Sequence, residues 1–334
     1  MGHSTAVQSG ETRIKVDDGI SIHEIWPTMQ IQKLDTFGGH RDCVYALEQD
    51  TVVSQFFSAG GDGQVVRWHL DRPDLGELVA TVPASVYALA RHPGTELLWV
   101  GQNYEGLHLI DTVRKTEVGS LKLTTSAIFD ITFHAADAFV ALGDGVVAVV
   151  DADRVAIKKH LKGSSQSARC LAINPVERDL AVGYSDNSIR IFDLLTYELK
   201  RVIPAHENSV FTLTYSPDFR FLLSGGRDAH LKIWDVEHQY NLHQDIVAHL
   251  FAINHIVFSP DGTLFATASM DKAIKIWDAS RYKLLKVVDR ARHAGHGTSV
   301  NKLLWTDYRQ TLLSASDDRT ISVWTVRKEA QTDR

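Results

Sequence analysis

"SGGRDAHLKIWD", residues 224–235, carries a serine, an aspartate and a tryptophan at fixed offsets: Asp228 lies four after Ser224, and Trp234 six after Asp228. His206 stands 22 positions before that aspartate. Serine, histidine and aspartate together suit either a hydrolytic triad or a structural device. The rest of the sequence decides between them. The same offsets recur at His40, Ser58, Asp62 and Trp68, at His249, Thr267, Asp271 and Trp277, and at His296, Ser314, Asp318 and Trp324. A triad is needed once per active site and is recognised by one converged geometry. Four copies, each with its own tryptophan and none with a Gly-x-Ser-x-Gly elbow, read as structure rather than catalysis.

Three weaker units stand in phase between the first copy and that of residues 224–235. "DNSIRIFD" puts Phe192 at the tryptophan position and Asp186 six before it; "GDGVVAVVD" puts Val150 and Asp144 there; "YEGLHLID" puts Ile110 there, with Tyr104 in place of the aspartate. The period is about 40 to 43 residues, with a longer step before the seventh unit. Period and Trp-Asp signature resemble the WD40 repeat family. The resemblance implies an all-β, seven-bladed β-propeller of four-stranded antiparallel blades. It also implies that each Trp, Ser/Thr, His and Asp set is a buried hydrogen-bonded tetrad that stiffens the loop leading into its blade. Blades two to four lack the tetrad, so their loops are expected to be less fixed, through drift or through release for binding.

The residues fit that architecture. In the fifth unit "SVFTLTYS", "FLLSGG", "LKIWDV" and "LHQDIVA" alternate or run apolar between turn segments such as "SPDF" and "GRDA". No stretch shows a helical period. The seventh unit ends at "ISVWTV" without a fourth strand, while "IQKLDTFGGH", residues 31–40, reads like "YELKRVIPAH", residues 197–206. An N-terminal strand therefore completes the last blade and removes an exposed edge. The expected organisation is an extension over 1–29, a propeller over 30–327 and a polar tail over 328–334. Within the extension, "TRIKVDDGISIHEIW", residues 12–26, suggests a small hairpin about Asp17-Asp18-Gly19.

Composition narrows the function classes. The formal net charge is −6 with no strongly basic half, which argues against nucleic-acid binding by bulk electrostatics. The first sixteen residues contain no apolar signal region, and Ala6 stands where a myristoylation pattern wants Ser or Thr. No apolar run reaches spanning length. The expectation is a cytoplasmic protein. Cys43 and Cys170, the two cysteines, fall in the first strands of blades one and four, too far apart to pair, and are expected to be buried thiols. "HAGH" and "HQYNLH" place His293 near His296 and His238 near His243, but no metal-ligand spacing accompanies them. "SGGRDAHLK" lacks the ending of a phosphate loop, so no metal and no cofactor is expected. The locally basic run 281–293, with Arg281, Lys283, Lys286, Arg290 and Arg292, suits an outer edge strand; contact with an acidic partner or RNA is the other reading.

One aligned position goes beyond the scaffold. The residue after the first inward apolar position of each blade reads Tyr45, Tyr87, Phe129, Arg169, Phe211, Asn254 and Asn301. By the family resemblance it lies at the mouth of the central channel, ringed by the turn residues Asn103, Ser185, Arg227, Met270 and Asp317. Rigid aromatics beside an arginine suit partner recognition; mutual packing at the mouth is the plainer reading. The function expected is a non-enzymatic scaffold holding a protein segment, as a monomeric ring within a complex. Two other readings stay open: a structural subunit of a larger, RNA-containing or other assembly, and a propeller enzyme or small-ligand binder. The last would need carboxylates or histidines converging at the mouth, and the aligned positions hold none.

Overall fold

The computed structural model describes residues 29–73 and 75–328. The hairpin expected over 12–26 and most of the polar tail lie outside them. Strands dominate because the repeats alternate or run apolar over about six residues and are then cut by Asp-, Gly- and Asn-rich turns. Seven four-stranded antiparallel sheets result. Their innermost strands are Val44–Gln49, Val86–Arg91, Ile128–His134, Ala168–Asn174, Val210–Tyr215, Ile253–Phe258 and Val300–Thr306. Each packs against the next, and the seventh against the first, so the sheets form a closed ring.

Burial follows position in the blade. The second strand of blade six, Leu264–Ser269, is buried at every residue because neighbouring blades cover both its faces. The outermost strand of blade four, Leu199–Pro204, is exposed except at Ile203. Apolar layers therefore lie between blades. Phe265 stacks on Trp277 with centroids 5.8 Å apart and planes 3° from parallel.

The ring closes through Met29–Gly38, which runs antiparallel to Thr320–Lys328, from Met29 opposite Lys328 to Gly38 opposite Thr320. Phe37, 1 % exposed, reaches across to blade one and meets Phe56 at 5.6 Å and Trp68 at 5.3 Å. The longer step before the seventh unit is a short helix, Arg290–His293, capped by the Asp289 carboxylate, which accepts from the Arg292 N–H. The basic run 281–293 is thus an outer strand only over Lys283–Val288. Cys43 and Cys170 are both unpaired, but Cys43 precedes its strand and is half-buried, so only Cys170 is a buried thiol.

Candidate binding face at the channel mouth

In four blades the sets found by spacing form hydrogen-bonded chains. His206 Nδ1 lies 3.0 Å from both Asp228 oxygens, His206 Nε2 lies 2.8 Å from Ser224 Oγ, and the Trp234 indole donates to that hydroxyl at 2.9 Å. A carboxylate at Nδ1 requires the proton there. Nε2 then accepts from the serine hydroxyl, whose oxygen accepts from the indole. The neutral tautomer is satisfied at both nitrogens. His40–Asp62, His249–Asp271 and His296–Asp318 repeat the pattern at 3.1, 2.8 and 2.8 Å. Their second nitrogens meet Ser58, Thr267 and Ser314 at 2.7, 2.7 and 2.8 Å, and Trp68, Trp277 and Trp324 donate to the same hydroxyls at 2.7, 3.0 and 2.9 Å. The aspartates also accept backbone N–H bonds from the entering loop, as from Glu207 at 3.0 Å. Burial disfavours the charge on Asp228 and Asp271, but the histidine and backbone donors outweigh it and hold both carboxyls at about 2.

Blade four does not follow the expectation of loose loops. Ser164 stands 22 before Asp186, at the histidine position, and donates to it at 2.7 Å. Ser188 and Arg190 add donors at 2.6 and 2.9 Å, and the Arg190 guanidinium lies 4.6 Å over the Tyr184 ring. Tyr184 fills the space beside Gly163, where a Cβ would lie 2.0 Å from its hydroxyl. A different set of side chains ties the same loop.

The seven aligned candidates share a geometric cause. In every blade the pairing of the innermost strand slips by one residue there: between Val44 and Ala46, Val86 and Ala88, Ile128 and Asp130, Ala168 and Cys170, Val210 and Thr212, Ile253 and His255, and Val300 and Lys302. The skipped residues are Tyr45, Tyr87, Phe129, Arg169, Phe211, Asn254 and Asn301. A bulge re-aims the side chain it carries, and all seven are half-buried. The preceding loop is tied to the turn after the second strand by one backbone bond in each blade, for example from Arg227 N–H to Ser209 O at 2.9 Å and from Met270 N–H to Ala252 O at 3.0 Å.

Five of the seven form a continuous arc. Tyr45 meets Tyr87 edge-on at 4.8 Å, Tyr87 stacks on Phe129 at 5.8 Å, and the Arg169 guanidinium sits 3.9 Å over Phe129 and 4.9 Å over Phe211. Asn254 and Asn301 act otherwise. The Asn254 amide donates to Val300 O at 2.8 Å, and the Asn301 amide donates to Val44 O at 3.0 Å and to Asp317 at 2.7 Å, stapling blade six to seven and seven to one. Among the turn residues, Arg227 and Met270 are exposed, but Asn103 is buried and accepts from the Ile128 N–H at 3.0 Å.

Beneath the arc is a chamber of about 630 Å³ with a second layer of polar residues, one position further along each strand: Asp130, Thr212, His255 and Lys302. The absence of carboxylate and histidine at the aligned positions therefore does not extend to the channel. Three members of this layer join blades. Asp130 accepts from Leu171 N–H at 2.8 Å, Thr212 from Ile256 N–H at 3.1 Å, and His255 from Leu303 N–H at 3.3 Å. Burial, then the nearby Lys302 charge, keeps His255 well below its ordinary pKa and neutral. Among the described residues no group of three or more His, Cys, Asp or Glu could hold a metal ion. Also among them, no helix is long and apolar enough to cross a membrane.

Glu48, two strand positions below Ala46, accepts from Arg91 N–H at 3.3 Å. Burial pushes its carboxyl up to about 7, against the Arg91 N–H and the charges of Lys302 and Arg91. An unfolded glutamate ionises near about 4. The fold is therefore penalised as pH rises from about 4 to about 7, and not below that window. Glu48→Gln keeps the acceptor and is expected to raise stability by up to about 3 kcal/mol at about pH 8 and by little at about pH 4. Thermal midpoints at the two pH values check this; equal shifts at both would contradict it.

The fold and its tetrads define a WD-repeat propeller. The family model "WD domain, G-beta repeat" matches residues 156–193, 197–235, 240–278 and 288–325, and the chain belongs to the WD40 repeat family. It is similar to the WD repeat-containing protein SL1-17 of Schistosoma mansoni, 24% identical over 192 residues that cover 57% of this chain and 62% of that one. It is also similar to a 66 kDa stress protein of Physarum polycephalum, 24% identical over 303 residues covering 87% and 48%. Over a short stretch of 65 residues, 20% of each chain, it is 37% identical to a THO complex subunit 6 homolog of Danio rerio. The matched part spans about half to three fifths of the length of the first two relatives.

Proposed function

We propose that this chain is a non-enzymatic interaction scaffold that holds a segment of a partner protein across the channel mouth. The observation that carries the reading is the bulge repeated in all seven blades, which turns Tyr45, Tyr87, Phe129, Arg169 and Phe211 into one half-exposed arc. Side chains fixed on a stiff ring lose little freedom on binding, so less of the contact energy goes into ordering them. The second layer supports a positioning role: Asp130 and His255 are engaged in blade-to-blade bonds, and the tetrad histidines are sequestered from the channel. The reading needs no cofactor and no metal. It places a single-chain ring within a complex in the cytoplasm, where unpaired cysteines are at home. The net charge of −6 favours a protein partner over nucleic acid. A second reading is a structural subunit of a larger assembly, RNA-containing or other; the short stretch shared with a THO complex subunit homolog supports the assembly alone.

Affinity capture from native lysate with quantitative mass spectrometry separates the two. The comparison is wild type against a Tyr45→Ala, Tyr87→Ala, Phe211→Ala variant whose melting curve shows an intact fold. The scaffold reading expects an enriched partner that the variant loses. Partners retained unchanged would move the interface to the blade edges and favour the structural subunit.

A further inference from the structure

Resting on the channel-mouth reading above, we propose that the mouth selects an acidic segment. An Asp or Glu side chain of a partner polypeptide enters the chamber between Arg169 and Lys302. A large apolar side chain of the same segment rests on Leu250, Phe251 and Met270.

The chamber is cationic within an acidic protein. Arg169 and Lys302 both line it, and Asp130 is its one carboxylate among the described residues. Both Asp130 oxygens are engaged, one by the Ile131 N–H at 3.0 Å and the other by the Leu171 N–H at 2.8 Å. His255 adds no charge, for the reasons given above. Among the described residues no carboxylate oxygen lies within 4.0 Å of the Arg169 or Lys302 nitrogens, and neither side chain donates a hydrogen bond to another. The Arg169 guanidinium, a planar group, has its carbon 3.9 Å over the Phe129 ring and 4.9 Å over the Phe211 ring. Its N–H donors lie on the plane's edge, the arrangement that grips a carboxylate bidentately.

The apolar half comes from blade six. Leu250 is 84% exposed, Phe251 61% and Met270 51%, although all three sit in loops that are firmly tied. The Ser269 hydroxyl donates to Phe251 O at 3.1 Å and the Met270 N–H to Ala252 O at 3.0 Å, so the two loops form one surface. That surface is on the face where the innermost strands begin, the face of the arc. Blade six stands between the blade of Lys302 and that of Phe211, so the patch borders the cationic side of the mouth. An inorganic anion would gain nothing from it. Two cations are too few to hold a nucleic-acid backbone against a net charge of −6. A segment with a carboxylate next to an apolar anchor matches both features.

The test pans a phage library of random dodecapeptides against the full chain, then measures the recovered peptides by fluorescence anisotropy. The expected peptides share an Asp or Glu within a few positions of a Leu, Ile, Phe or Trp. Changing that acid to its amide weakens binding at least tenfold. Arg169→Gln and Lys302→Gln each do the same, and Phe251→Ser weakens it separately. Because Lys302 is on another blade, it keeps the test open should Arg169→Gln unfold. Peptides that respond to the Tyr45, Tyr87, Phe211 triple variant but have a neutral or basic centre would overturn the acidic preference and leave the mouth reading standing. Displacement of the acidic peptides by millimolar phosphate or by an oligonucleotide would overturn it in favour of a general anion site. Recovery of no peptide that responds to the triple variant would overturn both.

Discussion

A chain shortened to begin at Gly39 is expected to lose the propeller and to be recovered as aggregate, while a chain beginning at Met29 folds. The shortened form leaves the whole pairing edge of Thr320–Lys328 open, along with the Trp324 and Val326 side chains behind it. An open, apolar strand edge is a template for association. It also removes Phe37 from the layer it shares with Val44, Phe56 and Trp68, so blades seven and one part company as well. Phe37→Ala isolates the packing contribution and is expected to cost about 3–5 kcal/mol. A synthetic peptide of residues 29–38 added during refolding is expected to restore soluble protein. Size-exclusion chromatography and circular dichroism read all three. A shortened chain that melts like the longer one would mean that closure is not what holds the ring.

The second large effect belongs to the tetrads. Ser224→Ala removes the hydroxyl that accepts from Trp234 and donates to His206, leaving two buried groups without partners. The expected loss is about 2–6 kcal/mol, at about 1–3 for each unsatisfied group. Asp228→Asn is expected to cost a similar amount, and the double variant less than the sum, because both act on one histidine. The pH dependence carries a sign. Asp228 ionises at about 2 in the fold and an unfolded aspartate near about 4. Its contribution is complete above about pH 4 and disappears as pH falls to about 2. Asp228→Asn should therefore flatten the acid limb of stability in that window and leave the limb above about pH 5 parallel to wild type. Additive losses with an unchanged acid limb would show that the four residues do not act as one network.

The ring was legible in the sequence because its structural device is chemically specific. Histidine, hydroxyl, aspartate and tryptophan recur at offsets that a core of interchangeable apolar residues would not keep. The closing strand was legible for a related reason, as a fourth-strand pattern with no blade of its own. Other features were hidden. The spacing does not say which member the indole serves; it donates to the hydroxyl, whose one oxygen serves both neighbours. The hold on Asp186 comes from Ser164, whose offset of 22 was visible while its residue type was not the expected one. The helix at Arg290–His293 is too short to show a period.

At the mouth, the aligned positions singled out the right column without the cause. A bulge is an event of pairing and leaves no mark in composition. It is also why the next residue in each strand faces the same chamber, which brings in Asp130, His255 and Lys302. A strict two-residue alternation would have turned them away. Leu250 and Phe251 escaped notice because a sequence does not distinguish an apolar pair in a loop from one in a core; their exposure of 84% and 61% does.

The most direct test of the central claim is site-specific photo-crosslinking in cells. Benzoylphenylalanine is placed at Tyr104, which lines the chamber and is 64% exposed, and in parallel at Val202 on the outer strand of blade four, 50% exposed. A partner joined through position 104 and absent from position 202 is the predicted result. A partner joined through position 202 alone would contradict the account and place the working surface on the rim of the ring.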